Sequence, residues 1–541
     1  MVTEANVKPG MTIQSISLSG DPHIDSLLFG SSWRLGVDGS ISTTITYSFP
    51  GLQSLWPDYA PGLEPNVGLA PLSTAIERQA VRDALLAWGS VANFQFQEVA
   101  DNADGFGTLR IAYTTLAMGT GQLAYAYAPA DVANGGDVWL NGQLRESLYS
   151  SFTPGALSSY VLLHELGHAL GLKHPHAASM LNGTTLGSLE DSLFNSAMSY
   201  YAWPGIALTQ TNIDRLPSTP MARDIDAMQV LYGANTSFAN GDNLYTFDGS
   251  GKYLETIYDT GGNDTIRVTG SRPAKIDLRA DQWSKLGIPV QISVGAIQST
   301  DTVRIYKTTQ IENAIGGDGN DTLIGNDAGN RLVGGNGNDT LIGYLGSDML
   351  EGGPGADSFV LDVGSQDVIA DFNPSEGDRL DLNHIFPLFY GYNQGGDAFA
   401  TGHLALSQID NDLLVWYDID GNNAVGDAHT LVTLRNISNT SVANLNFIQG
   451  VDARPLALIL NGSADSNEIV GSSDSDAING GGGSDTISGH DGDDVITVGG
   501  NGGAAFTTLV DGGAGNDRLN IAYAGISGLA DFSIGYDATG L

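Results

Sequence analysis

From Gly316 the chain repeats itself every nine residues. Gly316-Gly317-Asp318-Gly319-Asn320-Asp321-Thr322-Leu323-Ile324 has the form GGxGxDxUx, with U a large apolar residue, and the register continues at 325, 334, 343 and 352 to end at Val360. A step of nine marks a parallel β-helix, in which the glycine-rich half makes a tight turn and the apolar half a short strand with one side chain facing inward. Leu323, Leu332, Leu341, Leu350 and Phe359 hold that inward position. The turns leave carbonyl oxygens free and each adds a carboxylate; six or more oxygens gathered from adjacent turns suit Ca2+. Asp321, Asp339, Asp348 and Asp357 occupy the carboxylate position, and Gly316, Asp318, Gly334 and Asn336 are further candidate calcium ligands. Asn330 interrupts the series, which makes the 325 repeat a weaker site or a spacer. A second array starts at 462, 471, 480 and 489, with Asp476, Asp485 and Asp494 at the charged position and Asn467 in place of an aspartate. It breaks at an insertion, Val498 to Asp511, and resumes through Asp517.

Composition agrees with a calcium-loaded chain. The net charge of -39 over 541 residues disfavours nucleic acid and anionic membranes as partners and makes divalent cations the natural counter-charge. There is no cysteine, so disulfides and thiolate metal sites are excluded and any metal must take histidine, carboxylate or tyrosine ligands. The first residues, MVTEANVKPGMTIQSISLSGDPHID, lack the basic start and apolar stretch of a Sec-type signal peptide. No apolar run approaches the ~18 residues of a transmembrane helix. A monomer is expected.

The second informative segment is His164-Glu165-Leu166-Gly167-His168-Ala169-Leu170-Gly171-Leu172-Lys173-His174, which reads HExxHxxGxxH. On a helix, His164 and His168 project from one face a turn apart and can converge on one metal, with Glu165 beside them as general base. Gly171 can take the left-handed conformation that ends a helix, which lets His174 approach from another side. Three protein ligands leave a position for water, as a catalytic zinc requires. The apolar residues Val161, Leu162, Leu163, Leu166, Ala169 and Leu170 supply a buried helical setting.

Downstream lies Ser196-Ala197-Met198-Ser199-Tyr200. Taken alone, Met198 is a core filler and Tyr200 a half-buried aromatic. With the histidine motif upstream, the pair matches the Met-turn of the metzincins, and the chain resembles the serralysins, calcium-dependent secreted zinc metalloproteases whose Met-turn reads MSY. The resemblance implies that Tyr200 is a further zinc ligand that swings aside to stabilise the oxyanion. It also implies one catalytic Zn2+ and several structural Ca2+, with no organic cofactor.

The likeness runs from roughly residue 25 to 450. Before the zinc motif, pattern predicts strands at 43–49, 94–99, 109–113, 123–127 and 137–140, and a helix from about Ser73 to Trp88 with Ala75, Ile76, Ala80, Val81, Ala84, Leu85 and Trp88 on one buried face. The segment Ala124 to Tyr127 resembles the serralysin edge strand that holds an extended substrate, and reads equally as a core strand. A helix from Met221 to Tyr232, closed by Gly233, ends the catalytic domain; Asp224 and Asp226 near its start read as surface residues compensating the helix dipole. Asp259-Thr260-Gly261-Gly262-Asn263-Asp264 is a partial repeat. In serralysins the corresponding residues bind calcium at the domain junction, which implies Asp259, Gly261 and Asp264 with carbonyls from around Ala239, Gly241 and Asn243. The family carries a bulky basic residue where Ala239 stands. A neighbouring site would use Gly262, Asp264, the Gln310 carbonyl and Glu312.

The expected architecture is therefore an α+β zincin (metzincin) catalytic domain followed by all-β parallel β-roll domains. The divisions are a lead at 1–24, the catalytic domain at 25–235, a first roll at 236–361, a strand-rich cap at 362–455, and a second roll with a tail at 456–541. The expected function is a secreted zinc endopeptidase acting on protein or peptide substrates. The resemblance implies export of an unfolded chain by type I secretion machinery, and it admits a proteinaceous inhibitor as partner. The competing reading is a structural or adhesive calcium-binding protein of a cell surface with an inert zincin domain, which the second array favours and the complete catalytic motif opposes.

Overall fold

In a computed structural model, the described residues are 12–524 apart from 35–43, 57–58, 60–63, 66–67, 103–104, 117, 120, 210–211, 293–296, 391–397, 399–400, 422–428, 438–445, 449–458, 462–467, 471–476, 482–483, 490–493, 502–507 and 514–516. The expectations for the first residues, for Asn467 and Asp476, and for the C-terminal tail lie outside them. The chain divides into two compact units, Met1–Asp357 and Ser358–Leu541.

The first unit opens with a short helix, α1 (Pro22–Asp25), and a mixed sheet in the order 95–98, 44–48, 109–114, 138–141, 124–126, with 69–70 paired to 109–114. Strands 44–48, 95–98, 109–114 and 138–141 run parallel, and Ala124–Ala126 runs antiparallel as the last strand of the sheet. Helix α2 (Ala75–Val91) begins with a capping box, in which the Thr74 hydroxyl accepts from the Glu77 N–H and the Glu77 carboxylate accepts from the Thr74 N–H. Its buried face differs from the expected one. Ala75 and Ile76 are exposed, Ile76 by 64%, while Glu77 is buried. Glu77 goes inside because it both caps the helix and pairs with Arg145 at 2.7 Å, so its charge is satisfied where an apolar side chain would leave the N–H groups unmet.

Helix α3 (Leu157–Ala169) is buried on nearly every side. Its terminal carbonyls are met by distant side chains: the Trp33 indole donates to Ala169 O at 2.9 Å and the Tyr232 hydroxyl to Leu170 O at 2.7 Å. Trp88 of α2 donates to Leu163 O. Helix α4 (Ala222–Tyr232) packs into the same core.

Asp224 and Asp226 do not sit on the surface as dipole partners only. Asp224 is fully buried and accepts from the Met221 and Ala197 N–H groups and the Ser196 hydroxyl. Asp226 accepts from the Tyr306 hydroxyl and pairs with Lys307, tying α4 to the segment that precedes the repeats.

From residue 244 the first unit is made of short strands, mostly parallel, with antiparallel pairs at 283–284/303–305 and 290–292/297–299. One sheet runs 244–248, 265–269, 313–315, 331–333, 349–351 and a second runs 275–277, 322–324, 340–342. Successive nine-residue repeats thus alternate between sheets, and partners in one sheet lie 18 residues apart, as Leu323 and Leu341 do. Leu323, Leu332, Leu341 and Leu350 are fully buried between the sheets.

In the second unit, 358–360, 379–381 and 446–448 pair in parallel, as do 367–369 and 429–434, and 404–409, 412–417 and 429–434 form an antiparallel meander. Two further parallel sheets, 459–461/477–479/495–501/518–524 and 468–470/486–488/509–511, enclose Ile469, Ile478, Ile487 and Ile496.

Candidate active site

The zinc motif is arranged by the end of α3. Gly171 has φ +111°, and a Cβ there would stand 2.6 Å from Ser31 O, so the turn needs glycine on both counts. Leu172 N–H then donates back to Gly167 O, and the chain reverses. The following loop is clasped to the N-terminal segment. Lys173 N–H donates to Leu27 O, and the buried Lys173 ammonium donates to Ser26 O, Ala177 O and Thr184 O. Burial lowers its pKa to about 8. Asn182 adds bonds to Asp25 O and Leu28 O.

This geometry brings the three histidines together. His174 Nε2 lies 3.0 Å from His164 Nε2 and 3.0 Å from His168 Nε2. The opposite ring nitrogens are committed: His164 Nδ1–H donates to Ala197 O at 2.8 Å and His168 Nδ1–H to Leu172 O at 2.9 Å. That assignment leaves the Nε2 lone pairs of both His164 and His168 within 3.0 Å of His174 Nε2, which a single N–H cannot satisfy and a cation among the three relieves. A tetrahedral zinc with nitrogens at about 2.0–2.1 Å sets them roughly 3.3 Å apart, close to what is present. Burial depresses the His164 pKa to about 3 and that of His168 to about 4, and burial together with the neighbouring histidines pushes His174 lower still. All three are held neutral, the form in which an imidazole can ligate a metal. Burial alone raises Glu165, on the same helix, to about 8.

Met198 is fully buried beneath α3. A Cβ on Gly167 would stand 2.7 Å from Met198 Sδ and 3.0 Å from the Trp88 ring, so the glycine within HELGH admits both. Asp224 holds the Met-turn through Ala197 N–H, and the same residue's carbonyl receives His164. Tyr200 is 47% exposed, with its ring 4.1 Å from that of His174 and 5.6 Å from that of His164. His164, Glu165, His168, His174 and Tyr200 line a cleft of about 790 Å3, and Gly121–Ala126 forms another wall of it. Two neighbours had not been singled out from sequence, His176 and Asp191, whose side chains lie 3.2 Å apart. The signal was a fourth histidine two residues after the motif.

The junction residues also converge. Asp264 is fully buried; Oδ1 accepts from Asn243 N–H and Oδ2 has no hydrogen-bond partner among the described residues. Burial first, and then the charges of Asp259 and Glu312, raise its pKa to about 6. The Asn243 side-chain oxygen faces Ala239 O at 3.0 Å and Gly241 O, an arrangement satisfied either by turning the amide over or by a cation among the three oxygens. Ala239 has φ +50° and a Cβ on Gly262 would meet Gly241 O. Asp259 accepts from Gly261 N–H and the Tyr245 hydroxyl, and Glu312 from Asp264 N–H. Gln310 is exposed.

In the repeats, Asp339 Oδ1 accepts from Asp321 N–H, Asp357 Oδ1 from Asp339 N–H, and Asp348 Oδ1 from Asn330 N–H. Each carboxylate thus braces the turn 18 residues earlier. Asp339 Oδ2 is buried without a hydrogen-bond partner among the described residues, and a Cβ on Gly334 would stand 2.3 Å from it. A Cβ on Gly316 would be 2.5 Å from Asp321 Oδ2, so both glycines make room for oxygen. Asp318 and Asn336 are exposed and bond each other. Asn330 is different: its amide donates to Glu312 O and to Asn326 Oδ1, so this turn closes with its own side chains. In the second unit Asp485 and Asp494 are buried, and Asp517 is exposed and accepts from Asp494 N–H.

Three zinc-competent imidazoles on a helix and its reversing turn, with a methionine turn below, are the features of a metzincin site. Comparison with known proteins narrows this. Residues 67–193 match Matrixin, 222–394 match Peptidase M10 serralysin C terminal, and 461–501 match the RTX calcium-binding nonapeptide repeat (4 copies). The metallopeptidase AprA of Pseudomonas marginalis is 32% identical over 351 residues, 60% of this chain and 67% of its own length. The serralysin of Photorhabdus laumondii is 34% identical over 275 residues, 47% of this chain and 54% of its own. That of Proteus mirabilis is 34% identical over 285 residues, 48% and 55%. The chain belongs to the serralysin-like metzincins that carry RTX repeats. It spans about half the length of several curated relatives that it matches. Zinc is implied by the matrixin match and calcium by the repeats.

Proposed function

We propose that this chain is a secreted, calcium-dependent zinc endopeptidase. The observation that carries the reading is the convergence of His164, His168 and His174, with the outer nitrogens of the first two committed to carbonyls, beside a buried Glu165 in an open cleft. Zinc held by the three histidines, with Tyr200 as a fourth protein ligand at rest, would polarise the scissile carbonyl and acidify a water. Glu165 takes the proton of that water and delivers it to the leaving amine. The Tyr200 hydroxyl, moved aside, donates to the developing oxyanion. The terminal strand Ala124–Ala126 borders the cleft and can hold an extended substrate by main-chain hydrogen bonds.

The five-part division at 24, 235, 361 and 455 belongs to the same proposal, as do the calcium ligands at the junction and in both arrays. In this reading calcium is a folding switch: scarce inside a cell, it leaves the acidic repeats unfolded for type I export, and outside it closes the rolls. Substrates are proteins or peptides, and a protein inhibitor is a possible ligand of the cleft. The test is hydrolysis of a peptide library by the full chain, abolished by zinc chelation and restored by zinc. Glu165→Gln should keep one zinc per chain and lose about 100-fold or more of turnover, and His168→Ala should lose zinc as well. Near-parental turnover in Glu165→Gln would refute the mechanism.

A further inference from the structure

We propose that His176, oriented by Asp191, is a positioning residue for Tyr200, fixing where the phenol rests beside the three-histidine site. The inference rests on the protease reading and extends it to residues outside the zinc motif. Among the described residues the Tyr200 hydroxyl has no hydrogen-bond partner, and what the protein offers its ring is packing against imidazoles. Three imidazoles surround that ring. Two belong to His164 and His174; the third is His176, at 5.2 Å.

His176 is itself held. Its ring lies parallel to that of His174, 2° apart at 5.4 Å between centres, and edge-on to Tyr201. Its Nδ1–H donates to Asp191 Oδ2 at 3.2 Å, and Asp191 is 1% exposed. The segment carrying Asp191 also holds the strand that follows Tyr200, because Leu193 N–H donates to Tyr201 O at 2.8 Å. Both sides of the phenol are therefore referenced to one piece of backbone, residues 191–193. His176 flanks the phenol beside His174, where a wall would hold the ring near the histidines and leave the half-exposed Tyr200 room to move outward. A hydrogen bond to the phenol would resist that movement. An aromatic face does not.

The experiment uses the full chain with Cu2+ in place of zinc, since a phenolate bound to copper gives a charge-transfer absorption that reports Tyr200 directly. Metal content and melting temperature are measured alongside, and kcat and KM on a peptide for the zinc form. His176→Ala and Asp191→Ala should weaken the band and lower kcat, each about two- to tenfold, with KM less affected and one metal ion per chain retained. His176→Phe keeps the wall and should restore the band even if His176→Ala also melts early. Tyr200→Phe is the blank. An unchanged band and kcat in His176→Ala overturn the proposal, as does a parental protein with no band, or a His176→Phe no better than His176→Ala. A parent that shows the band, loses it in His176→Ala and cleaves no peptide would leave the positioning role standing and remove the protease reading.

Discussion

Asp339→Asn should stabilise the first roll when calcium is absent and destabilise it when calcium is present. Without metal, burial first and then the charges of Asp321 and Asp357 push the Asp339 pKa from 3.8 to about 7. The folded value lies above the unfolded one, so between those pH values the native chain holds a proton that the unfolded chain releases. Stability is then fully present below about pH 4 and is lost as pH rises through about 7. A shift of about three units at about 1.4 kcal/mol each gives a loss of roughly 4 kcal/mol by pH 8. Asparagine has no charge to lose, and its oxygen can still accept from Asp321 N–H. Asn330 supplies the precedent in the same register, closing its turn without a carboxylate. In EDTA, the resistance of residues beyond about 236 to limited proteolysis, and the urea midpoint by circular dichroism, should fall from pH 5 to pH 8 in the parent. The fall should be smaller in Asp339→Asn by on the order of 2–4 kcal/mol. With millimolar calcium the order of the two should reverse. Equal pH dependence in EDTA, or a less stable variant at pH 8 without calcium, would refute the reasoning.

On the proposed mechanism Tyr200→Phe removes an oxyanion contact made chiefly in the transition state, so steady-state kinetics should show kcat falling more than KM rises; an unchanged kcat would reduce Tyr200 to a packing role. Gly167→Ala puts a Cβ 2.7 Å from Met198 Sδ. The gain in helix propensity, about 1 kcal/mol, should be outweighed by overpacking of roughly 1–3 kcal/mol, and a melting temperature at or above the parent's would contradict this. Asp224→Ala strands three buried donors and should cost about 2–4 kcal/mol, with weaker zinc retention in competition with a chelator because Ala197 also orients His164. Parental zinc affinity would show that the Met-turn does not depend on that carboxylate.

The zinc motif could be read in advance because metal chemistry fixes residue type and spacing together, and the rolls because an inward leucine every nine residues survives any detail of the turns. Elsewhere the reading failed where a polar side chain had a private reason to be inside. Ile76 fits an apolar stripe and Glu77 does not, yet the helix N–H groups and Arg145, 68 residues away in sequence, draw the glutamate in. Asp224 resembles any aspartate in a first turn; only folding shows that Ser196 and Ala197 lie opposite it. His176 and Asp191 are 15 residues apart in a loop with no period, and nothing local joins them.

Alternation of the repeats between two sheets limits how such a chain can change length. Losing one nine-residue unit would move every later strand to the opposite sheet and set each turn carboxylate against the wrong neighbour, whereas losing eighteen would leave all partners matched. Additions are tolerated differently. In the second array 18 residues separate Ile469 from its partner Ile487, but 23 separate Ile487 from Val510, and the pairing continues unbroken. The strand 495–501 is itself longer than its neighbours and pairs along its whole length with 518–524, and Asp494 N–H still reaches Asp517. Gene-level tinkering is thus channelled: whole pairs of repeats can come and go, and a single connection can lengthen while its strands stay paired. The stacked isoleucines therefore tolerate a change in the length of chain between paired strands, provided the strands themselves keep their partners.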